Sequence, residues 1–307
     1  MRQQCFCALV LATLLLAPFL TAAPKVLQSS THQGVVYTSD QTWSGNLSLH
    51  DDVVVPFGVT LVIESGTHIN VTEDITITIQ GNLQIQGTSE APVDIWGSWV
   101  AETSIQARWQ GFLLETGSVS TVTNAVISDS RGGFDVESGA YLTINSTQFR
   151  DSIIGIWNKG SIVGEGFGCQ SATTSCLRVD GTANLSTVSS TTSAGVVHVY
   201  SGANAMIGVI YSNQDSDVLV LDGGSTFSGE VHAGGFTRMI RASDSVTATV
   251  TPVVTSIGET LLDASSLSGL DLINGQTIPT NVTISSLLIG SIEDVEFSSS
   301  NYNCDGL

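Results

Sequence analysis

Short apolar runs alternate with polar punctuation along this 307-residue chain. Ile75-Thr-Ile-Thr-Ile79 alternates strictly, and Val53-Val-Val55 is wholly apolar; both are β-branched. Such runs read as strands, because successive side chains of a pleated backbone face opposite ways and branched β-carbons suit it. Gly, Ser, Asn and Asp interrupt the runs every five to eight residues, which supplies turns. Past the first 25 residues no stretch sustains the i, i+3, i+4, i+7 spacing of an amphipathic helix.

The pattern returns every 22 residues. Gly111-Phe-Leu-Leu-Glu-Thr-Gly117 lies over Gly133-Phe-Asp-Val-Glu-Ser-Gly139, and Val59–Ile63 over Gly81–Ile85. Ile127, Asp129, Ser130 and Gly133 recur as Phe149, Asp151, Ser152 and Gly155. Val196–Val199, Val218–Leu221, Met239–Ala242 and Leu261–Ala264 follow at offsets of 22, 21 and 22. Leu177-Arg178-Val179 fits between Ile156 and Val197. A fixed period in the twenties, holding two or three short strands, marks a solenoid whose coils pack only on their neighbours. The expectation is an all-β chain of about a dozen coils of roughly 22 residues. At ~4.8 Å per coil it would form a rod roughly 60 Å long.

In this respect the chain resembles the right-handed parallel β-helix repeat proteins, over roughly residues 45 to 290. The resemblance rests on the repeat and not on a catalytic motif. It implies a parallel β-helix around a continuous column of Ile, Val and Leu, right-handed as parallel crossovers generally are. Many proteins of this kind bind or cleave polysaccharides along one outer face, so the resemblance makes a polysaccharide or surface glycan the expected partner.

Four regions follow. Residues 1–23 read as a secretory signal, with Met1-Arg2, an apolar run from Cys5 to Leu20, and Thr21-Ala22-Ala23. The run is short for an uncleaved anchor, and no later segment could span a bilayer. Residues 24–48, with Trp43, read as an N-terminal cap, 49–290 as the β-helix, and 291–307 as a Ser-rich tail or incomplete cap. A secreted or cell-surface location is expected. Cys169 and Cys176 are expected to close a disulfide there, the alternative being two free thiols. Cys304 is left odd. Trp96, Trp99 and Trp109 flank an insertion where the phase slips by about three residues, and a loop is expected there. Sequons at Asn46, Asn70, Asn145, Asn184 and Asn281 are acceptors if the host glycosylates exported proteins.

Charge narrows the partners. Residues are 42% hydrophobic and only 12% charged, with a formal net charge of −19. Such a chain could not neutralise a phosphate backbone, so neither nucleic acid nor anionic lipid is an expected partner. His32, His50, His68, His198 and His232 never cluster at metal-ligand spacing and no Cys-x-x-Cys occurs, so no metal site is expected. Asp51-Asp52 and Asp215-Gln-Asp217 fall at turns without the spacing of a calcium loop. No cofactor is expected, calcium being the weak exception. No Walker loop, dinucleotide fingerprint or Gly-x-Ser-x-Gly elbow appears.

The repeat also sorts side chains by face. With Phe112 and Leu114 inward, Leu113 and Glu115 point outward. One outward column then runs Leu113, Asp135, Trp157, Arg178, His198, Val220, Arg241, Asp263. Its neighbour runs Glu115, Glu137, Lys159, Asp180, Tyr200, Asp222, Ser243. From these the candidate ligand-facing residues are Asp135, Glu137, Trp157, Lys159, Arg178, Asp180, His198, Tyr200, Arg241 and Asp263. In one reading opposite charges pair from coil to coil, as in Glu137–Lys159–Asp180, and fix register. In the other, Trp157 and Tyr200 offer flat faces to sugar rings while Arg and carboxylates bind hydroxyls or uronates.

No catalytic residue is assigned. Asp135 and Glu137 have a spacing that permits a carboxyl pair, and Asp135 with Arg178 and His198 is another conceivable set. The ordered motifs of polygalacturonase-like β-helix glycosidases are not found; Val231-His232-Ala233-Gly234, for instance, lacks the first Gly of Gly-His-Gly. The expected function is a structural or adhesive module with carbohydrate as its ligand. The alternative is a polysaccharide lyase or glycoside hydrolase acting along the outer face.

Overall fold

The computed structural model describes residues 34–72, 74–98, 108–243, 245–256 and 258–264, with short strand segments beyond. The signal at 1–23, the first part of the cap, Trp99, Asn281 and the side chains of 291–307, Cys304 included, lie outside the described residues. The chain is a parallel β-helix of about ten turns, each of about 22 residues. Among the described residues every strand pairing is parallel. Among the described residues no helix is long and apolar enough to cross a membrane.

Two long sheets wrap the core. A 13-stranded sheet takes one short strand from each coil, such as Gly111–Leu114, Gly132–Val136, Ile154–Asn158 and Ser175–Val179. A 17-stranded sheet takes the rest. Its early coils contribute two strands, as in Tyr141–Asn145 and Thr147–Arg150. From Ser161–Gln170 onward a single long strand bends round the corner and pairs with both.

The corners explain the polar recurrences. Asp129, Asp151, Ser171, Thr192 and Gln214 stack one above another with φ of 56, 50, 58, 57 and 59°. Short polar side chains tolerate this left-handed conformation best. The Asp129 and Asp151 amides donate to the carbonyls of Arg150 and Gln170 in the next coil. Their repetition therefore marks a bend.

Ile, Val and Leu fill the core, with an aromatic ladder in its middle. Trp109, Phe112, Phe134, Phe149 and Phe167 follow one another with ring centroids 5.6, 4.9, 6.1 and 5.5 Å apart. Gly133 admits this ladder, because a β-carbon there would lie 2.1 Å from the Phe149 ring. Cys169 and Cys176 form a disulfide with Cα atoms 5.7 Å apart. Both are buried, so the bridge closes the part-exposed turn at Gln170–Ser175 from the core side. Closing so short a loop contributes about 2.5 kcal/mol in the chain-entropy account.

Two boundaries differ from the sequence reading. Among the described residues the ladder already includes Val35–Val36, which pairs with Val53 and Val54, ahead of the expected start at residue 49. Gln41–Trp43 and Asn46–Leu49 pair with the next coil as well. The described part of the expected cap is thus itself laddered onto the next coil. Trp43 is buried and its indole N–H donates to the Tyr37 hydroxyl at 3.0 Å, closing that end. The coil was hidden because Val35 meets Val53 and Val53 meets Ile77, spacings either side of 22. The second difference is the insertion. Ile77 pairs directly with Phe112, and the Gln80 amide reaches Glu115, 35 residues on. One turn is enlarged at the insertion, and the loop expected there falls on residues 99–107, outside the described residues. The turns number about ten where a dozen were expected. Trp109 is buried there, its indole N–H donating to the Ser128 carbonyl.

Candidate functional site

The 13-stranded sheet places the first expected column in unbroken register. Leu113, Asp135, Trp157, Arg178, His198, Val220, Arg241 and Asp263 are successive partners. The second column continues the ladder just past the strand ends. The amides of Glu137, Lys159, Asp180, Tyr200, Asp222 and Ser243 each donate to a carbonyl of the preceding coil.

Eight of the ten candidate residues meet in one patch. Lys159 Nζ lies 2.7 Å from Glu137 Oε1 and 2.9 Å from Asp135 Oδ1, and donates to Asp135 Oδ2 at 3.2 Å. It also sits 4.3 Å from the centre of the Trp157 ring, with the Arg178 guanidinium 5.7 Å from the same ring. The Trp157 indole N–H donates to Asp180. Arg178 is steadied by Ser175, whose hydroxyl accepts from Nε at 3.1 Å. One coil further, the His198 and Tyr200 rings stack at 3.9 Å and 18°. His198 Nε2 is 3.0 Å from Asp222 Oδ2.

Partial burial tunes these groups. It pushes the Asp135 carboxyl above its usual range, opposed by Lys159. Burial pulls the Lys159 ammonium down, but hydrogen bonds to Glu137 and Asp135 outweigh it and hold the group above its ordinary value. Burial likewise raises the Tyr200 phenol, against Arg178. The cations beside the indole gain cation–π attraction and leave it less bare for a sugar ring.

Arg241 and Asp263 do not join this patch. Val220 separates them from His198 in the column, and Asp263 is approached by Arg238, at 3.5 Å. Arg238 grips Asp217 through Nε and Nη2 at 2.7 and 2.8 Å, and that hydrogen bond holds its guanidinium above the ordinary value. This pair was missed because only two outward columns were followed. It belongs to a third, at the strand starts, where Asp217 and Arg238 are register partners.

The Asp215-Gln-Asp217 turn splits between two environments. Asp215 is buried and accepts from the Ser193 and Asn213 amides and the Ser190 and Ser212 hydroxyls, at 2.6, 3.0, 2.9 and 2.7 Å. Burial still pushes its carboxyl up against those donors. Among the described residues no three His, Cys, Asp or Glu side chains converge to hold a metal ion.

Of the sequons, Asn46 and Asn184 are exposed on strands. Asn145 is engaged, its Oδ1 accepting from the Glu165 amide at 2.8 Å. Asn70 is half-buried beside Trp96 in register.

Comparison with protein-family models, with curated proteins and with solved structures finds no match to this chain. The geometry of the patch therefore carries the functional reading alone.

Proposed function

We propose that the chain serves as a secreted or cell-surface rod with a structural or adhesive role, offering the patch from Asp135 to Tyr200 to carbohydrate. One observation carries this reading. The charges of the patch are paired from coil to coil on a flat sheet, with aromatic rings among them, and do not converge in a cleft. Such pairs fix register at a few tenths of a kcal/mol each. The edges of Asp180, Arg178 and Tyr200 supply donors, acceptors and a ring for sugar hydroxyls and C–H faces. The buried disulfide and the apolar stretch from Cys5 to Leu20 support export.

A second reading is favoured by one specific feature. Asp135, held above the usual carboxylate range, and Glu137 share one ammonium. Two carboxyls in different environments are the starting point of a glycosidase or lyase. A glycan array with a depolymerisation screen, each with and without calcium, separates the readings. Binding without turnover, weakened about tenfold (about 1.4 kcal/mol) in Trp157→Ala, is the expected result. Release of reducing ends or unsaturated uronate, lost in Asp135→Ala, would instead establish the enzyme.

A further inference from the structure

The outer face of the 17-stranded sheet has a different chemistry. Two outward columns there, from Thr60 to Thr247 and from Val62 to Thr249, stay in register through nine coils. Neither contains Asp, Glu, Lys, Arg or His, although the chain carries a net charge of −19. Thr, Ser, Asn and Gln predominate. Val119, Tyr141 and Met206 stand among them, 51, 39 and 55% exposed.

Two shallow grooves open on this face. Gln84, Gln86, Thr121 and Thr123 wall one, with Ile85 beneath. Asn204, Thr226, Ser228, Thr247 and Thr249 wall the other, over Phe227 and Ala248. The second lies on both columns, and the first on the Val62 column and the one beside it that starts at Glu64, about five coils or roughly 25 Å away along the rod.

We propose that this face binds an extended, uncharged polysaccharide lying along the rod axis. The inference rests on the carbohydrate-facing reading above but assigns a different surface and a definite ligand class. Each coil presents hydroxyls or amides that both donate and accept, the complement of a sugar hydroxyl. The two columns hold no ion, so a ligand confined to them strips water from none of their side chains, the exposed Glu64 lying at their edge. An acidic polymer would be repelled by the carboxylates on the rest of the rod, which selects a neutral one. The Tyr141 ring, between the two grooves, and the Met206 thioether, at the edge of the second, offer apolar surface to the C–H faces of sugars. A ligand spanning both grooves adds weak contacts intramolecularly, so affinity grows with chain length.

The test uses the secreted chain in affinity electrophoresis against neutral β-glucan, xyloglucan and mannan, with polygalacturonate as the acidic probe. Tyr141→Ala and Thr143→Glu alter the face, Trp157→Ala alters the charged patch, and Phe57→Ser changes an exposed turn as control. Circular dichroism melts confirm that each variant is folded. The expected result is retardation by a neutral glycan, insensitive to salt and longer-chain dependent, reduced at least tenfold in Tyr141→Ala and Thr143→Glu but not in Phe57→Ser. Loss in Trp157→Ala with none in the two face variants would overturn the inference and leave the charged-patch reading standing. Binding of polygalacturonate alone would do the same. A dimer in sedimentation that Thr143→Glu dissociates, without glycan binding, would show that a second copy covers the face and overturn the inference. No binding to any probe in either set would overturn both readings.

Discussion

The rod carries two outer faces built on the same ladder, and they solve different problems. On the 13-stranded sheet, Lys159 ties Asp135 to Glu137, Arg238 ties Asp217 to Asp263, and His198 meets Asp222. On the 17-stranded sheet the two columns through Thr60 and Val62 are uncharged, with sparse contacts such as the Asn82 amide to the Thr60 hydroxyl at 3.4 Å, while charge stands elsewhere on that sheet, as in His68 with Asp94 and His232 with Glu230. Parallel in-register stacking brings each side chain within ~5 Å of its counterpart above and below. A column of like carboxylates would therefore be self-repelling. An acidic chain with only nine basic residues has two remedies: interleave them or keep charge out. This chain uses both, interleaving charge on the first sheet, where four of the nine, Lys159, Arg178, Arg238 and Arg241, stand, and keeping it out of the columns through Thr60 and Val62 on the second.

The largest expected effect lies beneath both faces. Phe134→Ala removes the middle of the aromatic ladder and is expected to cost about 3–5 kcal/mol, read from urea denaturation. If the faces were independent, only the 13-stranded side would loosen; one cooperative transition is expected. Cys169→Ser comes next, at about 2.5 kcal/mol from the released corner. Lys159→Met leaves two carboxylates facing each other on the charged face and is expected to cost about 1 kcal/mol, discounted because all three groups are part-exposed. Removing Lys159 with Glu137 together should cost less than the sum of the two singles, by thermal melts in a double-mutant cycle.

Acid sharpens the contrast further. Asp135 has a folded pKa above its ordinary value, chiefly through burial. Its folded state thus prefers the protonated form. That contribution is fully present below the ordinary Asp value and is lost as pH rises through the raised folded one. Asp135→Asn should therefore flatten the dependence of the melting temperature on pH between about 4 and neutrality relative to the parent chain. A steeper dependence in the variant would mean that Lys159 governs the group. The smallest effect belongs to the other face: Thr249→Lys, on an uncharged column, should alter stability by less than about 0.5 kcal/mol.

Much of this was legible in the sequence because a periodic fold writes its register into spacing. Phe112, Phe134, Ile156, Leu177 and Val197 are core partners, and their offsets alone place Asp135 beside Trp157 and Arg178. What stayed hidden breaks the period or lies beyond one strand. The coil at Val35 and the 35-residue turn before Glu115 have their own lengths. The Asp217–Arg238 pair lies in a third column, at the strand starts, outside the two that were followed. Asp215 was placed at a turn, where its side chain in fact turns inward to four donors, which alternation cannot foretell past a left-handed corner. The uncharged columns were visible as Thr-, Asn- and Gln-rich runs, but an absence of charge has no motif to catch the eye.

Stacked coils also fix how the molecule answers a pull. Strands run across the rod, so the hydrogen bonds between coils lie along its axis. Tension applied to the chain ends loads those bonds one coil at a time, peeling the rod from an end. Each coil released would add roughly 70–80 Å of extended chain. A tethered molecule should thus lengthen in small steps at low force, near-equal except for a longer one at the turn between Ile77 and Phe112, and behave as an extensible spring. The coil that holds Cys169 and Cys176 would give a shorter step, lengthened to match the others once the bridge is reduced.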